Sequence, residues 1–152
     1  MARNTSDPQP IIPALGQYYA FTSDLAYLIV RLTAGVFVFL HGWTKVTVMS
    51  HAGLTAYFTK LGLEPAGLWA YYIPFNETVV ALLVVVGLLT RPAALLLVIE
   101  FIVIIVVVHL PRGWGMAVNG VEYPLFWLLT LIAVMLRGGG PWSLDRAIGK
   151  EL

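Results

Sequence analysis

Six ionisable side chains interrupt long apolar stretches of this 152-residue chain. A charge at the centre of a bilayer costs about 3 kcal/mol on insertion scales, so such residues usually face a bundle interior and find a partner there. Histidine and lysine can donate hydrogen bonds to a bound molecule, and glutamate can exchange a proton with it. The six candidates for such chemistry are Arg31, His41, Lys45, Glu77, Glu100 and His109.

Four apolar segments are long enough to carry these residues into a bilayer, since a spanning helix needs about 20 predominantly apolar residues. We expect all four to be helices, because lipid offers no hydrogen-bond partner to exposed backbone groups. The short turn Thr90–Pro92 makes spans two and three an antiparallel hairpin, with Pro92 at a helix start. The predicted spans are Asp24–Val48, Ala66–Thr90, Pro92–Leu110 and Val121–Leu136.

The linkers predict two different structures. Between spans one and two, apolar residues recur at helical spacing, which predicts a short amphipathic helix lying on the membrane surface. Those residues are Leu54, Tyr57, Phe58 and Leu61. The glycine-rich linker before span four predicts an ordered loop. The predicted fold is an all-α integral membrane four-helix bundle, with an N-terminal tail (1–23), one membrane domain (24–148) and a short C-terminal tail (149–152).

Helix geometry places the polar residues in two layers. Measured from the side that holds the termini, Arg31 and Glu100 lie about 10–12 Å deep at a rise of about 1.5 Å per residue, and they form a candidate inner pair. The outer group, in the half nearer the longer loops, consists of His41, Lys45, Glu77 and His109. The loop residues that could close over this outer group are Asn119, Glu122 and Tyr123.

Glu100 is predicted to face away from this outer group. The nine residues between Glu100 and His109 turn a regular helix half-way round. If His109 faces the bundle, Glu100 therefore faces lipid, unless the helix is distorted. An outward glutamate in lipid needs a protein partner, so we expect Glu100 to contact another subunit or a second copy of this chain.

Composition excludes several classes of protein. The chain is 59% hydrophobic and only 11% charged, whereas soluble domains carry about 25% charged residues. It is therefore predicted to be a polytopic membrane protein in contact with the lipid bilayer. The net charge of +1 gives no sign of a nucleic-acid partner. The chain has no cysteine, which excludes disulfides and iron–sulfur clusters, and we predict no metal site.

Basic residues predict the orientation. Five flank the side with the termini, and three flank the opposite side, which favours termini in the cytoplasm of a bacterial or archaeal plasma membrane. The five are Arg3, Arg91, Arg137, Arg146 and Lys150. The three on the opposite side are Lys45, Lys60 and Arg112.

An ordered series of motifs over residues 27–148 resembles the DoxX-like family of small four-helix membrane proteins. The motifs are IVRLTAGVFVFLHGWTKV, YFTKLGLEP, NETVVALLVVVGLLTRPAALLLV, VHLPRGW, NGVEYPL and WSLDRAI. The resemblance implies a role linked to quinone-dependent thiosulfate oxidation or to a membrane oxidoreductase assembly in oxidative stress defence. Glu100 departs from the family pattern, in which we expect an apolar residue at this position.

The resemblance thus implies a small membrane subunit of a quinone-linked redox complex. His41, His109 and Lys45 would donate hydrogen bonds to a quinone carbonyl, and Glu77 or Glu122 would handle the proton. Because the chain has no cysteine and no nucleotide-binding loop, any oxidoreductase activity would need a partner subunit. Whether the chain is itself an enzyme therefore stays open, and no catalytic residue is assigned.

Three alternatives remain at this point. The chain could be a non-catalytic accessory subunit that packs against a larger membrane complex or forms a homo-oligomer, its polar cluster being structural. It could be a small transporter, which would require oligomerisation. His41 and His109, at equal depth on separate helices, could also ligate a b-type haem. We do not favour the haem, because such histidine pairs also arise by chance.

Overall fold

Helices and short turns make up residues 10–152, the part of the chain that this computed structural model describes, and no strand occurs within that range. Arg3 and the rest of the first nine residues of the predicted tail lie outside it. Within this described range, three helical segments are long and apolar enough to cross a membrane, namely Pro13–Val48, Ala66–Val86 and Thr90–Arg112. The all-α prediction is confirmed.

The first helix, α1, covers Gly16–Val48 and follows a single 3-10 turn at Pro13–Leu15. It begins eight residues before the predicted start at Asp24, within the predicted tail. A proline in the first turn suits a helix start, because its φ is already helical and its missing N–H would have no partner there. Polar residues such as Thr22 made the early start hard to predict. In the helix, the Thr22 hydroxyl donates a hydrogen bond to the Tyr18 carbonyl one turn back.

The predicted helix in the first linker is confirmed as α2, His51–Lys60. The Ser50 side chain caps it by accepting a hydrogen bond from the Gly53 N–H at 3.1 Å. Leu54 and Phe58 on one face of α2 are buried against the start of the next helix. This contact folds α2 back onto the bundle and makes it one wall of the cavity described below.

The second membrane-length segment is not a regular helix. It consists of α3 (Ala66–Phe75), a π-helical turn (Asn76–Val80) and α4 (Ala81–Val86). The wide turn begins two residues after Pro74, which lacks an N–H and so interrupts the regular hydrogen-bond ladder. Gly87, with a left-handed φ of 71°, follows the last helical residue, Val86. The segment therefore ends four residues before the predicted end at Thr90.

The third segment returns as α5 (Thr90–Ile104), which continues through a π-helical turn (Ile105–His109) and a 3-10 turn (Leu110–Arg112). After the predicted ordered loop, α6 (Glu122–Arg137) packs along α5. α6 agrees in position with the fourth predicted span. Its 16 residues are fewer than the about 20 that usually span a bilayer. A last short helix, α7 (Leu144–Ile148), returns to the turn between α4 and α5.

The core lies where α1, α4, α5 and α6 meet. Ala34, Val84, Leu97 and Leu131, one from each helix, are fully buried there. Small residues let the backbones approach closely, as is common between membrane helices. At Gly35, for example, an added Cβ would lie 2.6 Å from the Val85 side chain. This tight packing holds α1 against the second segment and so fixes the geometry of the polar residues above it.

Candidate functional site

A cavity of about 360 Å³ opens between α1, α2, the second segment, the end of α5 and the start of α6. Its size falls within the range of about 300–1,000 Å³ that is typical of small-molecule sites. Most of its wall is apolar or aromatic, including Phe37, Val38, Phe58, Ile73, Phe101, Val107 and Trp127. Such a wall suits a ligand that is itself largely apolar.

Five of the residues predicted for the outer group or its cover line this one cavity. They are His41, Lys45, Glu77, His109 and Tyr123. α1 supplies the first two, the π-helical turn after Pro74 supplies Glu77, and the π-helical turn after α5 supplies His109. The predicted juxtaposition of these residues is therefore present in the fold.

Lys45 and Glu77 form an ion pair inside the cavity. The Glu77 side chain is 5% exposed and that of Lys45 is 25% exposed, so the pair is mostly removed from solvent. Gly42, one turn before Lys45, makes this contact possible. An added Cβ at Gly42 would lie 2.6 Å from the backbone carbon of Glu77, which is too close for any side chain.

The two histidines lie in different surroundings. His41 is exposed and lies one helical turn before Lys45, with its side chain at the cavity. His109 contacts the Asn119 backbone oxygen through Nδ1 at 2.8 Å. Because a carbonyl can only accept, Nδ1 of His109 carries the proton in this contact. Its Nε2 is then available as an acceptor while the ring is neutral.

The loop residues have separate roles. Tyr123 lines the cavity and meets the Trp127 ring edge-on, with 5.9 Å between ring centroids. Asn119 acts through its backbone carbonyl, in a left-handed conformation with a φ of 57°. Glu122 lies outside the cavity lining, and its Oε2 accepts a hydrogen bond from the Met116 N–H at 3.1 Å. Glu122 therefore orders the loop.

The prediction that Glu100 faces lipid is wrong. Its side chain is 2% exposed, and its Oε2 accepts a hydrogen bond from the Asn76 amide. The helix is distorted between Glu100 and His109, because the π-helical turn Ile105–His109 takes up an extra residue and reduces the rotation. A side chain enclosed within its own chain cannot mark a contact with another subunit.

The predicted inner pair of Arg31 and Glu100 is also wrong. Arg31 is 1% exposed, and its Nη2 donates to the Trp142 carbonyl at 2.6 Å, on the side of the bundle that holds the C-terminus. The two residues have similar depth, but Arg31 is held by the residues that precede α7, and Glu100 by Asn76. Arg31 therefore lies outside the cavity and holds the chain end in place.

Two buried polar residues, Asn76 and Asp145, were not predicted from the sequence. Asn76 is fully buried beside Glu77, and it would have been found had uncharged polar residues within the spans been considered. Asp145, 3% exposed, accepts hydrogen bonds from the Leu89 and Thr90 N–H groups at 2.7 and 3.0 Å. Burial alone would raise the pKa of Asp145, but the hydrogen bonds from Thr90 and Leu89 outweigh it and hold the pKa below its usual value.

Chemically, the cavity combines an apolar, aromatic body with a small set of polar groups along one wall. Phe37 and Trp127 stack at 5.4 Å with an interplanar angle of 25°. Lys45 has three N–H donors, of which Glu77 occupies at least one. The arrangement offers an aromatic surface to a largely apolar ligand and hydrogen-bonding groups to the polar atoms of that ligand.

Comparison with known proteins places the chain in a family without assigning it a reaction. An uncharacterized membrane protein of Mycobacterium tuberculosis is 34% identical in a 133-position alignment that covers 80% of each chain. An uncharacterized protein of Haemophilus influenzae is 33% identical over 88 residues, 58% of each chain. No solved structure matches significantly. The family model for DoxX matches residues 26–110, more than half of the chain, and the protein is a membrane protein of the DoxX family.

Proposed function

We propose that this protein binds the ring of a membrane quinone in the cavity and serves as a small subunit of a quinone-linked redox complex. The observation that carries the proposal is the Lys45–Glu77 ion pair in the wall of an otherwise apolar, aromatic cavity. A quinone combines a flat apolar ring with two carbonyl acceptors. Those features correspond to the aromatic wall and to the donors of Lys45.

The cavity supplies a partner for each part of such a ligand. The ring would lie against Phe37 and Trp127, where aromatic contacts add to apolar burial. One carbonyl oxygen would accept from Lys45 Nζ and the other from a ring N–H of His41, since Nε2 of a neutral His109 is itself an acceptor. Electrons would come from a partner subunit, since this chain has no cysteine and so no thiol redox pair.

We further propose that α6 is the fourth span and that the termini lie in the cytoplasm, with the protein in the plasma membrane. Arg91, Arg137, Arg146 and Lys150 support this orientation, because basic residues favour the cytoplasmic side. Since the chain has no cysteine, Lys150→Cys and Lys60→Cys each give a single thiol. In intact cells a membrane-impermeant thiol reagent should label the Lys60→Cys variant and spare the Lys150→Cys variant. Labelling of the Lys150→Cys variant alone would show that the termini lie on the opposite side of the membrane.

The binding proposal is tested by titrating the purified full-length protein with a short-chain quinone and following tryptophan fluorescence, since Trp127 lines the cavity. We expect saturable quenching with one site per chain. Lys45→Met should weaken binding roughly tenfold or more, as expected when a charged donor is lost. Lys60→Met, which removes an exposed lysine of α2 away from the cavity lining, is the matched control and should bind normally.

Each of the following results would overturn the proposal. Quenching that does not saturate, or that is equal in wild type and Lys45→Met, would show that quinone partitions into the detergent rather than into this cavity. A protein that binds no quinone but co-purifies with a larger membrane complex would favour the accessory-subunit alternative. A Soret band in the purified protein would favour the haem.

A further inference from the structure

Three polar side chains meet in the interior of the bundle, just behind the cavity wall. Asn76, Glu77 and Glu100 are 0, 3 and 2% exposed. The Asn76 Nδ2 donates a hydrogen bond to Oε2 of Glu100, and the Glu77 and Glu100 side chains interact directly. Of the two glutamates, Glu77 lines the cavity and Glu100 does not.

The charges around Glu100 do not balance if both glutamates are ionised. The titratable groups that face Glu100 are Lys45 from α1, Tyr72 from α3 and Glu77 from the π-helical turn. Lys45 and Glu77 already neutralise each other as an ion pair. An ionised Glu100 would add an uncompensated negative charge to a buried, apolar region, which is strongly unfavourable.

The hydrogen bonds lead to the same conclusion independently. Oε1 of Glu100 is buried and meets no hydrogen-bond donor among residues 10–152. Its neighbour, the Glu77 carboxylate, is an acceptor when ionised, so two acceptors face each other. A proton on Glu100 would turn this repulsive contact into an O–H···O hydrogen bond between the two carboxyls, as in other close carboxyl pairs.

We infer that Glu77 and Glu100 hold one proton between them and that Glu77 delivers it to an oxygen of the molecule bound in the cavity. The O–H bond of Glu100 breaks as Glu77 takes the proton, and Glu77 in turn protonates the ligand oxygen, which becomes basic when electrons from the proposed partner subunit reduce the ring. No electron leaves either carboxyl. The inference of a shared proton depends only on the buried pair of glutamates. The delivery of that proton rests on the proposed function.

The shared proton is tested by infrared spectroscopy of the full-length protein in a detergent that has no carbonyl group, at neutral pH with no ligand added. A protonated carboxyl has a C=O stretch that is well separated from the bands of carboxylate groups. We expect this band in the wild type and its loss in Glu100→Gln. Glu122→Gln, which removes the glutamate that orders the exposed loop, should keep the band. If Glu100→Gln does not fold, ¹³C-glutamate labelling of the wild type should shift the band to lower frequency.

The absence of a protonated-carboxyl band in the ligand-free wild type would overturn the inference, because both glutamates would then be ionised. A band that survives in Glu100→Gln, or that does not shift on ¹³C-glutamate labelling, would also overturn it. Because no quinone is present, neither result bears on the proposed function. Conversely, failure to bind quinone would leave the band unchanged and would remove only the delivery step.

Discussion

The Nζ of Lys45 on α1 contacts Oε2 of Glu77 in the π-helical turn, across 32 residues of sequence. This pair joins the first and second membrane-length segments at the wall of the cavity. Close contact between the two backbones at Gly42 brings the charges together, and the wide turn after Pro74 carries Glu77. The packing of the bundle therefore determines where the polar group of the cavity wall lies.

Removing one partner of this pair should destabilise the protein. Lys45→Met leaves Glu77 buried without its cation, which costs about 3–5 kcal/mol in fully buried pairs. Since the Lys45 side chain is 25% exposed, we expect about 1–3 kcal/mol, measured by unfolding with a denaturing detergent. The double variant Lys45→Met/Glu77→Gln should recover part of the loss. Equal stability of wild type and Lys45→Met would contradict a stabilising ion pair.

Gly42→Ala should separate the two helices at the same point. Its Cβ would meet the backbone and Cβ of Glu77 at 2.6 Å, so α1 must move away. Overpacking of this kind costs about 1–3 kcal/mol, and the variant should also bind quinone less tightly. Gly67→Ala is the matched control, because its Cβ would meet nothing within 4 Å in α3. The prediction fails if the two variants unfold alike.

Gly87→Ala should destabilise the opposite side of the bundle through Arg31. Its Cβ would lie 1.7 Å from Arg31 Nη1, in a left-handed residue with a φ of 71°. Gly62→Ala has a similar φ of 73° but open space around it, so it isolates the backbone strain of roughly 1–2 kcal/mol. We expect Gly87→Ala to lose about 1–3 kcal/mol more than this control. Equal losses would show that Arg31 moves freely.

Asp145 should make the docking of α7 dependent on pH. Its folded-state pKa is lowered, so its contribution is present above the unfolded value of about 3.9 and is lost as pH falls through the lower folded value. Asp145→Asn should therefore be less stable than wild type by about 1–3 kcal/mol at neutral pH. This difference should shrink below about pH 4. Asp24→Asn, which breaks a 3.8 Å surface pair, is the control and should change little.

A stability difference between Asp145→Asn and wild type that stays constant across this pH range would contradict the role given to the carboxylate. It would show that the shape of the side chain, rather than its charge, holds α7 against the turn between α4 and α5.

The sequence was sufficient to predict that His41, Lys45, Glu77 and His109 come together, because depth along a helix follows directly from residue number. The side of the helix on which a residue lies was less predictable. Each residue adds to the rotation about the helix axis, so one wide turn changes the sides on which the residues before and after it lie relative to each other. The turn at Ile105–His109 is such a case, and it moves Glu100 from the predicted lipid face into the bundle.

The partners of the buried polar residues were hardest to predict. Arg31 and Glu100 have similar depth and opposite charge, which favoured a pair, but pairing also needs facing side chains. Arg31 instead meets the Trp142 carbonyl, which sequence patterns cannot place because α7 folds back only through tertiary contacts. The early start of α1 was missed for another reason, since its first turns carry polar residues that apolar-length counting excludes.

The central claim, that the cavity holds a quinone ring, is tested most directly by photolabelling the wild-type protein in lipid with an azido-quinone and mapping the modified residues. The account predicts modification of cavity residues such as Phe37, Lys45 and Trp127, suppressed by excess unlabelled quinone and weakened in Lys45→Met. Labelling confined to lipid-facing residues such as Leu129 and Ile99, without competition, would contradict it.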